Sequence, residues 1–284
     1  MERPVVVGVD GSDSSLLAVD WALDASERHG RPLRMVHASL WERYEGVTPS
    51  VGVDRPTAQV MAHNVLAAAE HRAAVRRPGV ALSQDVLAAG AVESLLEEGR
   101  SAFLLVVGCR GRGPLAGALL GSVSLGVAGR APCPTVVVRG SSPSVAGSRG
   151  RVVVGVDGTP HGAAAVGYAF REAEARGCEL LAVHAWRRPG SNAGGVVGDD
   201  VPGAAEKLLD TALDEDRVGH PDVPMRRQVV EGSARQALLR AAEEADLLVV
   251  GAHQRRGAPG LHLGLVSHAL LHQASCPVAV VPQP

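Results

Sequence analysis

Lysine is almost missing from this chain: Lys207 is the only one, and Leu208 follows it. A Walker-type phosphate loop needs a lysine followed by serine or threonine, so that chemistry is excluded. Aromatic residues make up only 2% and the net charge is −2. Few rings are left to stack on single strands, and no basic footprint marks a nucleic-acid partner. The four cysteines form no Cys-x-x-Cys pair and no zinc-ligand spacing, which fits a reducing compartment. No apolar run approaches the ~18–20 residues that cross a membrane. Met1-Glu2-Arg3-Pro4 lacks the basic and apolar regions of a signal peptide, so a cytoplasmic protein is the expectation. A hydrolase elbow and a His-Glu-x-x-His motif are also missing, although His268 and His272 stand four apart.

What is present is a repeat. Val5-Val-Val-Gly-Val-Asp-Gly11 recurs identically at Val152 to Gly158, and Val36-His37-Ala38 recurs as Val183-His184-Ala185. Leu104-Leu-Val-Val-Gly108 recurs as Leu247 to Gly251, and Cys133-Pro134 as Cys276-Pro277. Order and spacing are kept, so a whole domain is duplicated. The expected boundaries are 1–140, a Gly/Ser/Pro-rich linker at 141–150, and 151–284.

Each copy alternates strand and helix signals. Val5–Val9, Leu33–Ala38, Val80–Leu87, Ala102–Val107 and Thr135–Arg139 read as strands, several as continuous β-branched runs buried on both faces. Ser12, Asp13 or Ser14 caps the first helix, with Thr159-Pro160 as the expected start in the second copy. Later helices fall near Thr57–Arg76, Val92–Gly99 and Ser122–Arg130. The pattern predicts an α/β chain of two tandem Rossmann-like domains, each a five-stranded parallel sheet flanked by helices. Ligands of such sheets sit beyond the carboxyl ends of the strands, where strand order reverses. The segments 39–56 and 186–202 are long enough for lids or partner surfaces.

The most distinctive sequence follows the fourth strand: Gly108-x2-Gly111-x9-Gly121-Ser122. Glycines let backbone approach a ligand, and a helix N-terminus offers N–H groups to phosphate. Ser122 can donate to a phosphate oxygen or ligate a phosphate-bound Mg²⁺, while Arg110 and Arg112 add positive charge. Gly111-x-Gly113-x-x-Ala116 imitates a dinucleotide fingerprint, but it does not follow the first strand and lacks the acid about 20 residues on.

With the Val-Gly-Val-Asp-Gly start, the Val-His strand end and the Cys-Pro before strand five, this loop resembles the universal stress proteins, specifically tandem members of their ATP-binding branch. The resemblance covers nearly the whole chain. It implies strand order 3-2-1-4-5, bound ATP with Mg²⁺ in many cases, pairing of the two domains as a pseudo-dimer through strand five, and a homodimer. Carried over by position, it puts Gly8, Val9 and Asp10 at the adenosine and the backbone near Ala38 at the adenine edge. Gly108, Arg110, Gly111, Arg112, Gly121, Ser122 and Val123 would line the ribose and phosphates. Asp10 reads equally as a turn residue, and Ala38 as plain sheet packing.

In the second copy the matching positions are Gly155, Asp157, Ala185, Gly251, Arg255, Gly264, Val266 and Ser267. The pattern departs at two of its loop positions: Gln254 replaces the second glycine and Leu265 the serine. If the second glycine needs positive φ, Gln254 is strained there. Either the second site binds ATP through a shifted loop or it is a vestigial partner; weaker binding is the expectation. For the whole chain the leading expectation is an ATP-dependent stress or signalling regulator, working through a protein partner with little or no catalysis. An adenine-nucleotide hydrolase or adenylyl-transfer enzyme and a nucleotide-independent interaction module are the alternatives.

Overall fold

A computed structural model describes residues 2–39, 55–111, 120–159, 162–187, 201–252 and 263–283. Arg112, Gln254, Arg255, Arg256, Pro160 and most of the two long post-strand segments lie outside them. The chain divides into two units, Met1–Arg139 and Gly140–Pro284.

Unit 1 runs β1 (Val5–Gly8), α1 (Asp13–His29), β2 (Leu33–Ala38), α2 (Arg55–Arg76), β3 (Leu82–Leu87), α3 (Ala91–Gly99), β4 (Leu104–Gly108), α4 (Ser122–Ala128) and β5 (Thr135–Val138). Its strands are ordered β3-β2-β1-β4-β5. Every pair described within the unit is parallel, with Val5 opposite both Leu33 and Leu104. Order reverses between β1 and β4, which opens a cleft at their carboxyl ends. Val5, Val6, Val7, Leu104, Leu105 and Val106 are wholly buried, as expected of a sheet covered on both faces. β3 is polar, with Ser83, Gln84 and Asp85 exposed.

Ser12 caps α1: its hydroxyl accepts from the Ser15 N–H, and Gly30 ends the helix in the left-handed conformation. α2 is tied to α1 by a bidentate Arg72–Asp20 pair and by Arg76 and Arg77 on Asp24. The sheet and α1 therefore form a stiff frame, and the chemistry-bearing loops leave from its top edge.

Unit 2 begins with a short helix α5 (Ser142–Val145) and then repeats the plan: β6 (Arg151–Gly155), α6 (Ala163–Arg176), β7 (Glu179–Trp186), α7 (Val201–Gly219), β8 (Met225–Glu231), α8 (Ala234–Ala242), β9 (Leu247–Gly251), α9 (Leu265–Gln273) and β10 (Val278–Val281). The order β8-β7-β6-β9-β10 matches unit 1. The start of α6 differs from the sequence expectation. Gly162 occupies the cap, and Thr159 donates its N–H and hydroxyl to Asp157 Oδ1.

The Gly/Ser/Pro stretch taken above as a linker is a folded part of unit 2. The Ser141 N–H donates to the Ser275 carbonyl. The buried Asp246 carboxylate accepts the N–H groups of Arg149, Gly150 and Arg151 at 2.8, 2.7 and 3.3 Å. Asp246→Ala should release this segment. Loss of about 2 kcal/mol of local charge-assisted hydrogen bonding corresponds to trypsin cleavage after Arg149 some ~30-fold faster. An unchanged cleavage rate would show that the clamp does not hold the segment.

Candidate functional site

In unit 1 the reversal point opens into a cavity of about 640 Å³. β1 ends at Gly8, where an added Cβ would lie 3.2 Å from the Leu95 methyls, so the strand end and α3 meet closely. Val9 and Asp10 follow. Asp10 Oδ1 accepts the Ser12 N–H at 2.9 Å and its hydroxyl at 2.6 Å, and Gly11 turns the chain with φ +78. This is an Asx turn. The turn reading of Asp10 is therefore present in the structure, and the residue lines the cavity as well.

β2 ends at His37 and Ala38, both in the wall. His37 Nδ1 lies 2.7 Å from the Val9 carbonyl oxygen. A carbonyl only accepts, so Nδ1 carries the proton and a neutral ring keeps Nε2 as an acceptor.

β4 ends at Gly108 against α1. A Cβ there would fall 2.5 Å from the Ser14 carbonyl oxygen. The Arg110 N–H donates to Ser14 Oγ at 3.2 Å. The base of the long loop is closed by the Gly121 N–H on the Cys109 carbonyl at 2.9 Å. The Ser124 hydroxyl donates to the Gly108 carbonyl at 2.6 Å. These bonds carry Gly121, Ser122 and Val123 to the cavity, where the first turn of α4 has N–H groups without intrahelical partners. Gly111 is not at positive φ; a Cβ there would come 2.6 Å from Asp10 Oδ2, so a side chain at 111 has to displace the Asp10 carboxylate.

The residues singled out from the sequence of the first copy thus converge on one cavity, except Arg112, which lies outside the described residues. The sequence reading missed the α3 wall: Ala91, Ser94 and Leu95 also line it. Their signal was the amphipathic pattern of the helix after β3, which has no motif of its own.

Unit 2 has the corresponding cavity, of about 410 Å³. Gly155, Asp157, Ala185, Gly251, Gly264, Val266 and Ser267 all line it, and Arg255 lies outside the described residues. Asp157 makes the same turn, with Gly158 at φ +72, and His184 Nδ1 reaches the Val156 carbonyl at 2.8 Å. The Ser267 hydroxyl, read above as a ligand contact, donates to the Gly251 carbonyl at 3.2 Å. It ties α9 to β9, as Ser124 ties α4 to β4.

The remaining groups are quieter. Burial pushes the Cys133 thiol up to about 12 and raises that of Cys178. Cys109 is half-buried, 3.6 Å from Ser14 Oγ. The His268 and His272 rings lie 4.6 Å apart, and no group of three or more metal-ligating side chains occurs among the described residues. No described helix is long and apolar enough to cross a membrane.

Fold and clefts define a tandem pair of open parallel α/β domains, each with its cleft beyond the central strands. The universal stress protein family matches residues 1–139 and again 148–282, and the chain belongs to that family. A universal stress protein of Mycobacterium tuberculosis is 34% identical, over 99% of this chain and 98% of its own. One from Mycolicibacterium smegmatis is 32% identical, over 99% and 97%. Among solved structures, a universal stress protein from Archaeoglobus fulgidus superposes with TM-score 0.70 at 18% identity, covering 99% of this chain and 96% of that one. That likeness concerns the fold.

Proposed function

We propose that the unit 1 cavity binds ATP, with Mg²⁺ on its phosphates, and that the protein is a nucleotide-dependent regulator of stress or signalling with little or no catalysis. One observation carries this reading: the ends of β1, β2 and β4 and the first turn of α4 meet around a single cavity of about 640 Å³. That is the size class of small-molecule sites. An apolar wall from Val36 and Leu95 suits a base, and Ala38 backbone with His37 suits its polar edge. Asp10 suits a ribose hydroxyl. Ser122, the first-turn N–H groups of α4 and Arg110 suit phosphates. Bound Mg²⁺ would neutralise phosphate charge, with the Ser122 hydroxyl as the protein's ligand. A homodimer, and a protein partner that reads occupancy, belong to the same proposal.

The test is to denature the purified protein and to identify and count the released nucleotide by mass spectrometry. The expected result is ATP from unit 1. Gly111→Glu puts a carboxylate where even a Cβ comes 2.6 Å from Asp10 Oδ2, and Ser122→Asp puts one at the start of α4. Each should lower ATP content about 10-fold, the equivalent of roughly 1.4 kcal/mol of repulsion between the new carboxylate and the phosphates. Unchanged ATP content in both variants would overturn the assignment.

A further inference from the structure

The two cavities share one end and differ at the other. At the shared end Gly8, Asp10, His37, Ala38 and Leu95 have the counterparts Gly155, Asp157, His184, Ala185 and Leu238. The geometry follows: an added Cβ on Gly155 would lie 3.0 Å from Leu238, against 3.2 Å for Gly8 and Leu95.

Three hydroxyls of the unit 1 wall have no counterpart in unit 2, and one of them opens the helix after the fourth strand. Unit 1 lines its cavity with Ser15, Ser94, Ser122 and Ser124. In unit 2 the first three positions are Gly162, Ala237 and Leu265. The fourth, Ser267, is kept and bonds the Gly251 carbonyl as Ser124 bonds that of Gly108, so the difference lies in the first three. The exchange at position 162 has a local cause, because a Cβ there would come 2.7 Å from Asp157 Oδ1. Leu265 stands first in α9, lines the cavity and is 68% exposed. An isobutyl group replaces a donor where a chain of phosphates would otherwise be solvated by protein. Glutamine at 254 also carries the Cβ that Gly111 lacks. The cavity itself is smaller, about 410 against 640 Å³.

We infer that unit 2 is a site for an adenine nucleoside without its polyphosphate, selective against ATP. The choice of adenine rests on the reading proposed for unit 1, whose nucleoside end it copies. The selectivity rests on the lost hydroxyls and on Leu265. A site that hydrogen-bonds a polar group rejects ligands lacking it, and a site whose donors have become apolar rejects ligands carrying extra charge. The two units of one chain then report two different quantities: unit 1 the triphosphate, unit 2 its dephosphorylated product class.

Isothermal titration of the full-length chain with ATP and with adenosine tests this. The unmodified chain should take one ATP and two adenosines. In Ser122→Asp, with the unit 1 phosphate end blocked, adenosine should bind unit 2 at least ~10-fold more tightly than ATP. Adding Leu265→Ser should raise ATP affinity at unit 2 about tenfold and narrow that ratio. Equal affinities for ATP and adenosine at unit 2, or no adenosine bound there, would overturn the inference. Absence of ATP from unit 1 of the unmodified chain would overturn the function proposed for unit 1, while the unit 2 ratio would still decide this one.

Discussion

Glu172→Leu should cost unit 2 about 3–5 kcal/mol, a large share of the ~5–15 kcal/mol that holds a domain. Glu172 and Arg176 face each other one turn apart on α6, with Nε to Oε2 at 3.1 Å. Their side chains are only 1% and 8% exposed. Removing the carboxylate takes away the acceptor that Glu172 Oε2 offers to the Arg176 Nε–H, at a place both side chains reach with almost no exposure. Burying the pair at all costs desolvation, so the pair itself adds little; the cost lies in breaking it. The double variant Glu172→Leu/Arg176→Met should therefore regain most of the loss. Urea unfolding of the three proteins measures both effects. A single-variant loss below about 1 kcal/mol, the range of exposed pairs, would show that water reaches this one.

The sheet was legible because its central strands are buried on both faces. β1, β4 and β5 read as nearly continuous β-branched or apolar runs, and these with β2 lie within a residue or two of the expected bounds. The repeat supplied the rest, since whatever follows β1 in one copy must follow β6 in the other. The loop glycines were legible as glycines but not for their reason. Positive φ and close approach both stood open for Gly111; it has no positive φ, and what a Cβ there would meet is the Asp10 carboxylate, about a hundred residues earlier in the chain. Sequence carries backbone preferences locally; a close approach belongs to two distant segments at once.

The same distinction accounts for the two features that were misread or missed. The composition of 140–150 is that of a linker, and what joins it to unit 2 are distant partners: Ser275 for Ser141, and Asp246, in the turn before β9, for residues 149 and 150. Likewise α3 has no motif, and its role as a cavity wall follows from where the β3–α3 connection deposits it. The exchanges of Ser15 for Gly162 and of Ser94 for Ala237 were invisible for that reason. They lie outside the loop whose spacing drew attention, and they acquire meaning only once the cavity wall is known. Leu265 was legible because it interrupts a pattern; the others interrupt none.

Gly108→Ala should cost unit 1 about 3 kcal/mol or more and empty its cavity as well. The added methyl would sit 2.5 Å from the Ser14 carbonyl oxygen and 2.6 Å from both the Ser14 carbonyl carbon and Oγ. The oxygen and carbon are backbone atoms near the start of α1, so no rotamer change relieves the contact; α1 must move off β4. That displacement strikes the site through two bonds: Ser14 Oγ holds the Arg110 N–H, and the Gly108 carbonyl holds the Ser124 hydroxyl. Gly30→Ala is the control. Gly30 caps α1 at φ +60 with open space around its Cβ position, so alanine there costs only the left-handed penalty, roughly 1–2 kcal/mol, far from the cavity. Denaturant midpoints should thus separate the two alanines, and nucleotide content should fall in Gly108→Ala alone. Equal losses would mean that α1 yields to the methyl, and that the contact between helix and strand does not fix the position of the loop. If the losses differ as stated, the rigid part of the site is this contact: the meeting of β4 with α1 decides where the loop after β4 begins.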